Sequence, residues 1–127
     1  VDTLTVINKY NGQTLDLGSR DCLTMLFEIR GDVTLAEQCK GRYKTMLGAL
    51  RSLPKVSGFD TLESYMEGWE IIAPGFVQDG DIIIAEGRHC YVYYQAHIFG
   101  VFDENTFKWK PVDLPIDIKN SVIFRAP

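Results

Sequence analysis

Apolar and polar positions follow two regimes along the chain. Up to Trp69 apolar residues recur at helical spacing; beyond it they run together or alternate. The organising stretch of the first regime is Ser19 to Gly31. Ser19 can cap a helix whose third residue is Cys22, and Gly31 can close it in a left-handed turn. Leu23, Leu26 and Phe27 then share one face, with Cys22, Met25 and Ile29 beside them. Before it, Val1 to Tyr10 fits either state. Leu4, Ile7 and Tyr10 have helical spacing behind Asp2 as a cap, while Thr3-Leu4-Thr5-Val6 alternates like a strand. Asn11-Gly12 is a turn signal leading into a loop. After Gly31, Thr34-Leu35-Ala36-Glu37 has the form of a capping box. Leu35, Cys39, Tyr43, Met46, Leu47 and Leu50 continue at helical spacing, with Gly41 as a weak point and Pro54 beyond the end. Asp60 to Met66 predicts a third short helix that Gly68 closes, and Trp69 can line a cleft or, as expected here, anchor the core.

The second regime predicts strands. Ile82 to Ala85 is a buried strand, and Glu86-Gly87-Arg88 turns the chain into a second, His89 to Tyr94. Gln95-Ala96 is a tight turn into His97 to Phe102, and Asp103-Glu104-Asn105 is a further turn. Phe107 to Val112 and Ser121 to Arg125 supply two more strands, separated by a loop holding Pro111 and Pro115. Helices followed by a meander predict an α+β fold, with N-terminal helices packed on a small antiparallel sheet. No repeat or composition shift divides the 127 residues, so residues 1–127 are expected to form one domain.

Composition narrows the partners. The net charge is -4, which argues against nucleic acid as the main partner. No apolar run approaches the roughly 20 residues of a membrane span, and no basic start precedes an apolar stretch. Three cysteines, Cys22, Cys39 and Cys90, are odd in number and lack metal-ligand spacing. Reduced thiols are therefore expected, with no metal and no cofactor.

Cys22 stands out among them. A thiol in the first turn of a helix meets unpaired N–H groups and the positive end of the dipole, and Arg20 adds a cation; all three favour thiolate. A cysteine nucleophile needs an imidazole as base and acid, and the histidines are His89, opening a strand after a turn, and His97. Cys39, on the apolar stripe, is expected to be core.

Asp21-Cys22 at a helix start, Gly80-Asp81 leading a strand, and His89 opening the next resemble the NlpC-type cell-wall peptidases, compact papain-like cysteine hydrolases of peptidoglycan stem peptides. The whole chain resembles small phage-tail proteins of that fold. The residues carrying this are Tyr10-Asn11-Gly12, Leu17-Gly18, Gly41-Arg42-Tyr43, Gly48-Ala49-Leu50-Arg51, Gly80-Asp81 and Ile123-Phe124-Arg125. The resemblance implies a papain-like, NlpC-type fold, a helix over Asp2 to Tyr10, Cys22 as nucleophile and His89 as general base. It also implies a third polar group to orient the imidazole. A Gln95-Ala96 turn places Phe102 opposite His89, so Asp103, one residue on, serves only through a bulge. His97, Gln95 and a backbone carbonyl are the alternatives, and Leu23 and Met25 are bulkier than the small residues usual after the nucleophile. Two readings stay open. One is a tail-borne peptidase, made in the host cytoplasm and carried in the virion, that opens peptidoglycan during genome delivery. The other is a catalytically silent structural component bound to other tail proteins. An intracellular thiol amidase of the same fold is the third alternative.

Overall fold

The computed structural model describes residues 2–43, 45, 65–85, 89–102, 105–111 and 121–127. Its first element is helix α1, Thr3–Tyr10, where Asp2 caps the helix by accepting the Thr5 N–H at 2.9 Å. That cap settles helix over strand for this segment, and Val6, Ile7 and Tyr10 form the buried face. Helix α2, Cys22–Ile29, buries an unbroken run from Cys22 to Phe27. It ends as expected at Gly31, whose φ is +78°. The Gly31 N–H bonds the Glu28 carbonyl and the Asp32 N–H bonds that of Phe27, satisfying the last carbonyls of the helix. Helix α3, Val33–Gln38, starts one residue before Thr34, so the expected Thr34–Glu37 box has no helix end to cap, and Asp32 precedes the helix without a side-chain cap. Cys39 is fully buried, as its stripe predicts. The expectations for Met46, Leu47 and Leu50, and for a helix start at Asp60, lie outside the described residues.

The strands are β1 (Glu70–Ile72), β2 (Ile82–Ala85), β3 (His89–Tyr94), β4 (His97–Val101), β5 (Phe107–Pro111) and β6 (Ser121–Arg125). They form one six-stranded sheet in the order β1-β6-β2-β3-β4-β5, antiparallel at every pairing. Gln95 and Ala96, with φ of +48° and +61°, make the tight β3–β4 turn whose left-handed twist-matching geometry two-residue hairpins favour. Pro111 belongs to β5 rather than to a loop; β5 is an edge strand, where the missing N–H is tolerated.

This architecture corrects the expected fold. A papain-like, NlpC-type α+β arrangement calls for helices packed on a small sheet, whereas here the sheet has six strands and the three described helices have eight, eight and six residues. Two physical causes account for the difference. Glu70–Ile72 is too short to display alternation, and it becomes a strand only because β6 offers it a free edge. β6 in turn sits between β1 and β2 rather than at the end of a meander, which widens the sheet in the middle.

Strand alternation sorts the core into two layers. On one face Ile82, Ile84, Cys90, Val92, Phe99 and Phe107 pack with residues of the helices. On the other, Ile72, Ile83, Ile98 and Ile123 pack with Tyr91, Tyr93 and Phe102. Asp81, just before β2, is buried and takes a two-pronged ion pair from Arg125 of β6, both bonds at 2.9 Å.

The turn yields a stability prediction. Neither Gln95 nor Ala96 favours positive φ, so Gln95→Asn with Ala96→Gly is expected to raise unfolding free energy by about 1 kcal/mol. Urea denaturation of the double variant measures this, and a loss of stability overturns the assignment.

Candidate functional site

Cys22 is placed by the loop before it and by the residue that caps its helix. The loop is stitched to the start of β5: Gly12 N–H bonds the Phe107 carbonyl, Phe107 N–H that of Gln13, and Leu15 N–H that of Asn105. The cap is Asp21, not Ser19. Its Oδ1 accepts the Thr24 N–H at 2.8 Å, and Thr24 Oγ1 accepts the Asp21 N–H at 2.9 Å, a reciprocal box that makes Cys22 the first helical residue. Ser19 is instead held in the preceding turn, its N–H on the Asp16 carbonyl. Asp21 Oδ2 accepts the Gly18 N–H and the Tyr43 hydroxyl, each at 2.7 Å. Gly18 is required here: its φ is +90°, and a Cβ would lie 3.0 Å from the Cys39 carbonyl oxygen.

A cleft of about 350 Å³ opens where β3 begins and β4 ends, lined by Leu15, Cys22, His89, Cys90, Tyr91, Val101, Phe102 and Asn105. Two thiols meet in it. In β3, Cys90 shares the helix-facing side with Val92, and it meets the first residue of α2. A hydrogen bond from the Cys90 thiol holds Cys22 below the ordinary thiol range. Burial opposes this, the Cys90 and Cys22 backbones assist it, and the Asp21 carboxylate works against it. Cys90 is pushed well above the usual range by the same bond, by burial and by the charge on Cys22. Of the two thiols, Cys22 is therefore the one that ionises more readily. The expected help from Arg20 is not among these causes: that guanidinium bonds the Thr14 carbonyl and pairs with Asp16 at 3.9 Å. Cys39 is different again, pushed up to about 11 by burial.

His89 and Cys22 line the same cleft. Alternation along β3 nevertheless puts His89 in phase with Tyr91 and Tyr93, on the sheet face away from α2. Asp103 lies outside the described residues. His97 and Gln95 sit at the other end of the hairpin, roughly 16 Å along the strand from His89, and His97 Nδ1 lies 2.7 Å from the Gln95 carbonyl oxygen, edge-on to Trp109. Two polar residues of the cleft were missed by sequence reasoning, which gave Cys90 only as a reduced thiol and Asn105 as a turn residue. The signal for Cys90 was its phase with Val92. Asn105 carried only a turn signal; it adopts a φ of +56°, which asparagine tolerates, and contributes a polar wall. Among the described residues no group of three His, Cys, Asp or Glu could hold a metal ion, and no helix is long and apolar enough to cross a membrane.

Two outcomes are expected. At neutral pH an alkylating reagent labels Cys22 before Cys39 and Cys90, because only Cys22 is held below the thiol range; Cys39 becomes a thiolate only as pH approaches about 11. Peptide mapping after partial labelling checks this, and first labelling at Cys39 or Cys90 contradicts it. Tyr43→Phe removes a buried hydrogen bond to the Asp21 carboxylate and is expected to cost about 2 kcal/mol in urea unfolding.

No curated protein matches the chain. A family model described as a domain of unknown function, DUF6950, matches residues 2–116, most of the chain, and the protein therefore belongs to that family.

Proposed function

We propose that this protein is a thiol-dependent amide hydrolase with Cys22 as nucleophile, acting on peptidoglycan stem peptides as part of a phage tail. The observation that carries the reading is a cleft-lining cysteine at a helix start whose thiol is held below its ordinary range although it is buried. The thiolate attacks the amide carbonyl, and the N-terminal N–H groups of α2 lie at the helix end beside it, where a developing oxyanion needs donors. His89, on the wall of the same cleft, is the group proposed to protonate the leaving amine and then to activate water. Asn105 is the polar side chain of the cleft suited to orient that imidazole or the substrate amide. The cleft volume suits a short peptide segment rather than a folded protein. The tail setting rests on the resemblance of short motifs, from Tyr10-Asn11-Gly12 to Ile123-Phe124-Arg125, to small phage-tail proteins.

A second reading, a silent structural tail component, is favoured by one observation. The residue that α2 presents Cys22 to is Cys90, while β3 turns His89 to the other face. Purified protein and a virion assay separate the two. In the hydrolase reading the parent cleaves stem peptides, Cys22→Ala abolishes cleavage, and His89→Ala lowers it by about 100-fold. Normal assembly and infection by Cys22→Ala particles, together with no cleavage by the parent, overturn the hydrolase and leave the structural component.

A further inference from the structure

The cleft holds a second chemistry that hydrolysis does not use. A nucleophilic cysteine needs an acid–base partner, yet the side chain facing Cys22 across the helix–sheet interface is another thiol. Neither is in a disulfide, and both line the same cleft, which is wide enough for a small oxidant. The meeting is built in by two independent elements. The Asp21 box fixes Cys22 as the first residue of α2, and the pairing of Ile84 with Cys90 fixes the second residue of β3 on the helix side. Cys39 lines no part of this cleft and is fully buried.

We propose that Cys22 and Cys90 form a peroxide-responsive dithiol, in which Cys22 is the oxidised cysteine and Cys90 the resolving one. The Cys22 thiolate attacks one oxygen of a hydroperoxide. A sulfur–oxygen bond forms, the oxygen–oxygen bond breaks, and the departing oxygen takes a proton to leave as water or an alcohol, so Cys22 becomes a sulfenic acid. The Cys90 sulfur then attacks the Cys22 sulfur. The disulfide forms, and the hydroxyl leaves as water with the proton from Cys90. Two thiols give up two electrons, and the hydroperoxide accepts them. Cys22, the more readily ionised thiol, suits the attack on the peroxide, and the Cys90 thiol brings the proton that the hydroxyl needs. Both side chains line one cleft and belong to one buried cluster, and their sulfurs come to about 2 Å apart in the disulfide. The proposal rests on the same reactive Cys22 as the hydrolase reading but not on hydrolysis. In an active enzyme the disulfide would cap the nucleophile and switch the cleft off reversibly.

The test uses the intact protein without substrate. Graded hydrogen peroxide is followed by alkylation under denaturing conditions and peptide mapping. Free thiols are expected to fall from three to one per chain, with a linked Cys22–Cys90 peptide that dithiothreitol restores to two thiols. In Cys90→Ala and Cys90→Ser, checked for folding by circular dichroism, oxidation is expected to pass to sulfinic acid at Cys22 instead. Sulfinic acid at Cys22 in the parent while Cys90 stays free overturns the proposal, as does a disulfide involving Cys39 or unchanged thiols in folded protein. Peptide cleavage is read separately on reduced protein, so a failed hydrolase leaves the dithiol result standing.

Discussion

Asp21 is almost fully buried, and a carboxylate at that depth is tolerated only where donors surround it. Here the donors come from different parts of the chain: the Gly18 N–H from the loop, the Thr24 N–H from α2 and the Tyr43 hydroxyl from beyond α3. Thr24 Oγ1 in turn accepts the Tyr10 hydroxyl at 3.3 Å, which brings in the last residue of α1. One carboxylate thus orients the loop, starts α2 and anchors both flanking segments. The penalty for losing it is correspondingly severe, because three donors would be left unsatisfied in the interior. Its charge also acts on the neighbouring residue: it works against the thiolate of Cys22, and the hydrogen bond from Cys90 outweighs that opposition. The position of the thiol and its acidity therefore have different sources.

Those sources set the two thiols of the cleft apart. Two cysteines of identical intrinsic acidity, placed against each other in a buried contact, cannot both ionise. Cys22, which has the hydrogen bond from Cys90 and backbone donors beside it, ionises the more readily, and Cys90 the less. The hydrogen bond from Cys90 is the largest contribution to lowering Cys22, and the backbone at the helix start and in β3 adds to it.

Much of this was legible in the sequence, and the boundary is physical. Local signals were sufficient for β2, β3 and the Gln95-Ala96 turn, since apolar runs, β-branched and aromatic residues and hairpin length act over a few residues. They were sufficient for Cys22 at a helix start, and for Gly31 at its end. They were insufficient for the capping residue itself, because Ser19 and Asp21 are both good caps and only the burial of Asp21 under Tyr43 decides between them. They also failed for β1, whose three residues become a strand through pairing with residues some fifty positions away. For the site, sequence alone named His89 and passed over Cys90. Both belong to one strand, and which of them meets α2 depends on the phase of that strand, a property of the sheet rather than of the dipeptide.

The place of β6 in the sheet has a bearing on how the chain comes to be folded. Among the described strands β1 pairs with β6 alone, and β2 has β6 as its second neighbour. A growing chain that has just delivered β1 therefore holds an unpaired edge until on the order of fifty further residues have emerged. The hairpin of β3 and β4 can close locally long before that. Assembly is expected to run outward from the hairpin, with residues 121–125 entering last as a wedge between two strands already made. During that interval the flank of β2 is open to strands of other copies, which makes the final strand a safeguard against aggregation as well as a part of the core.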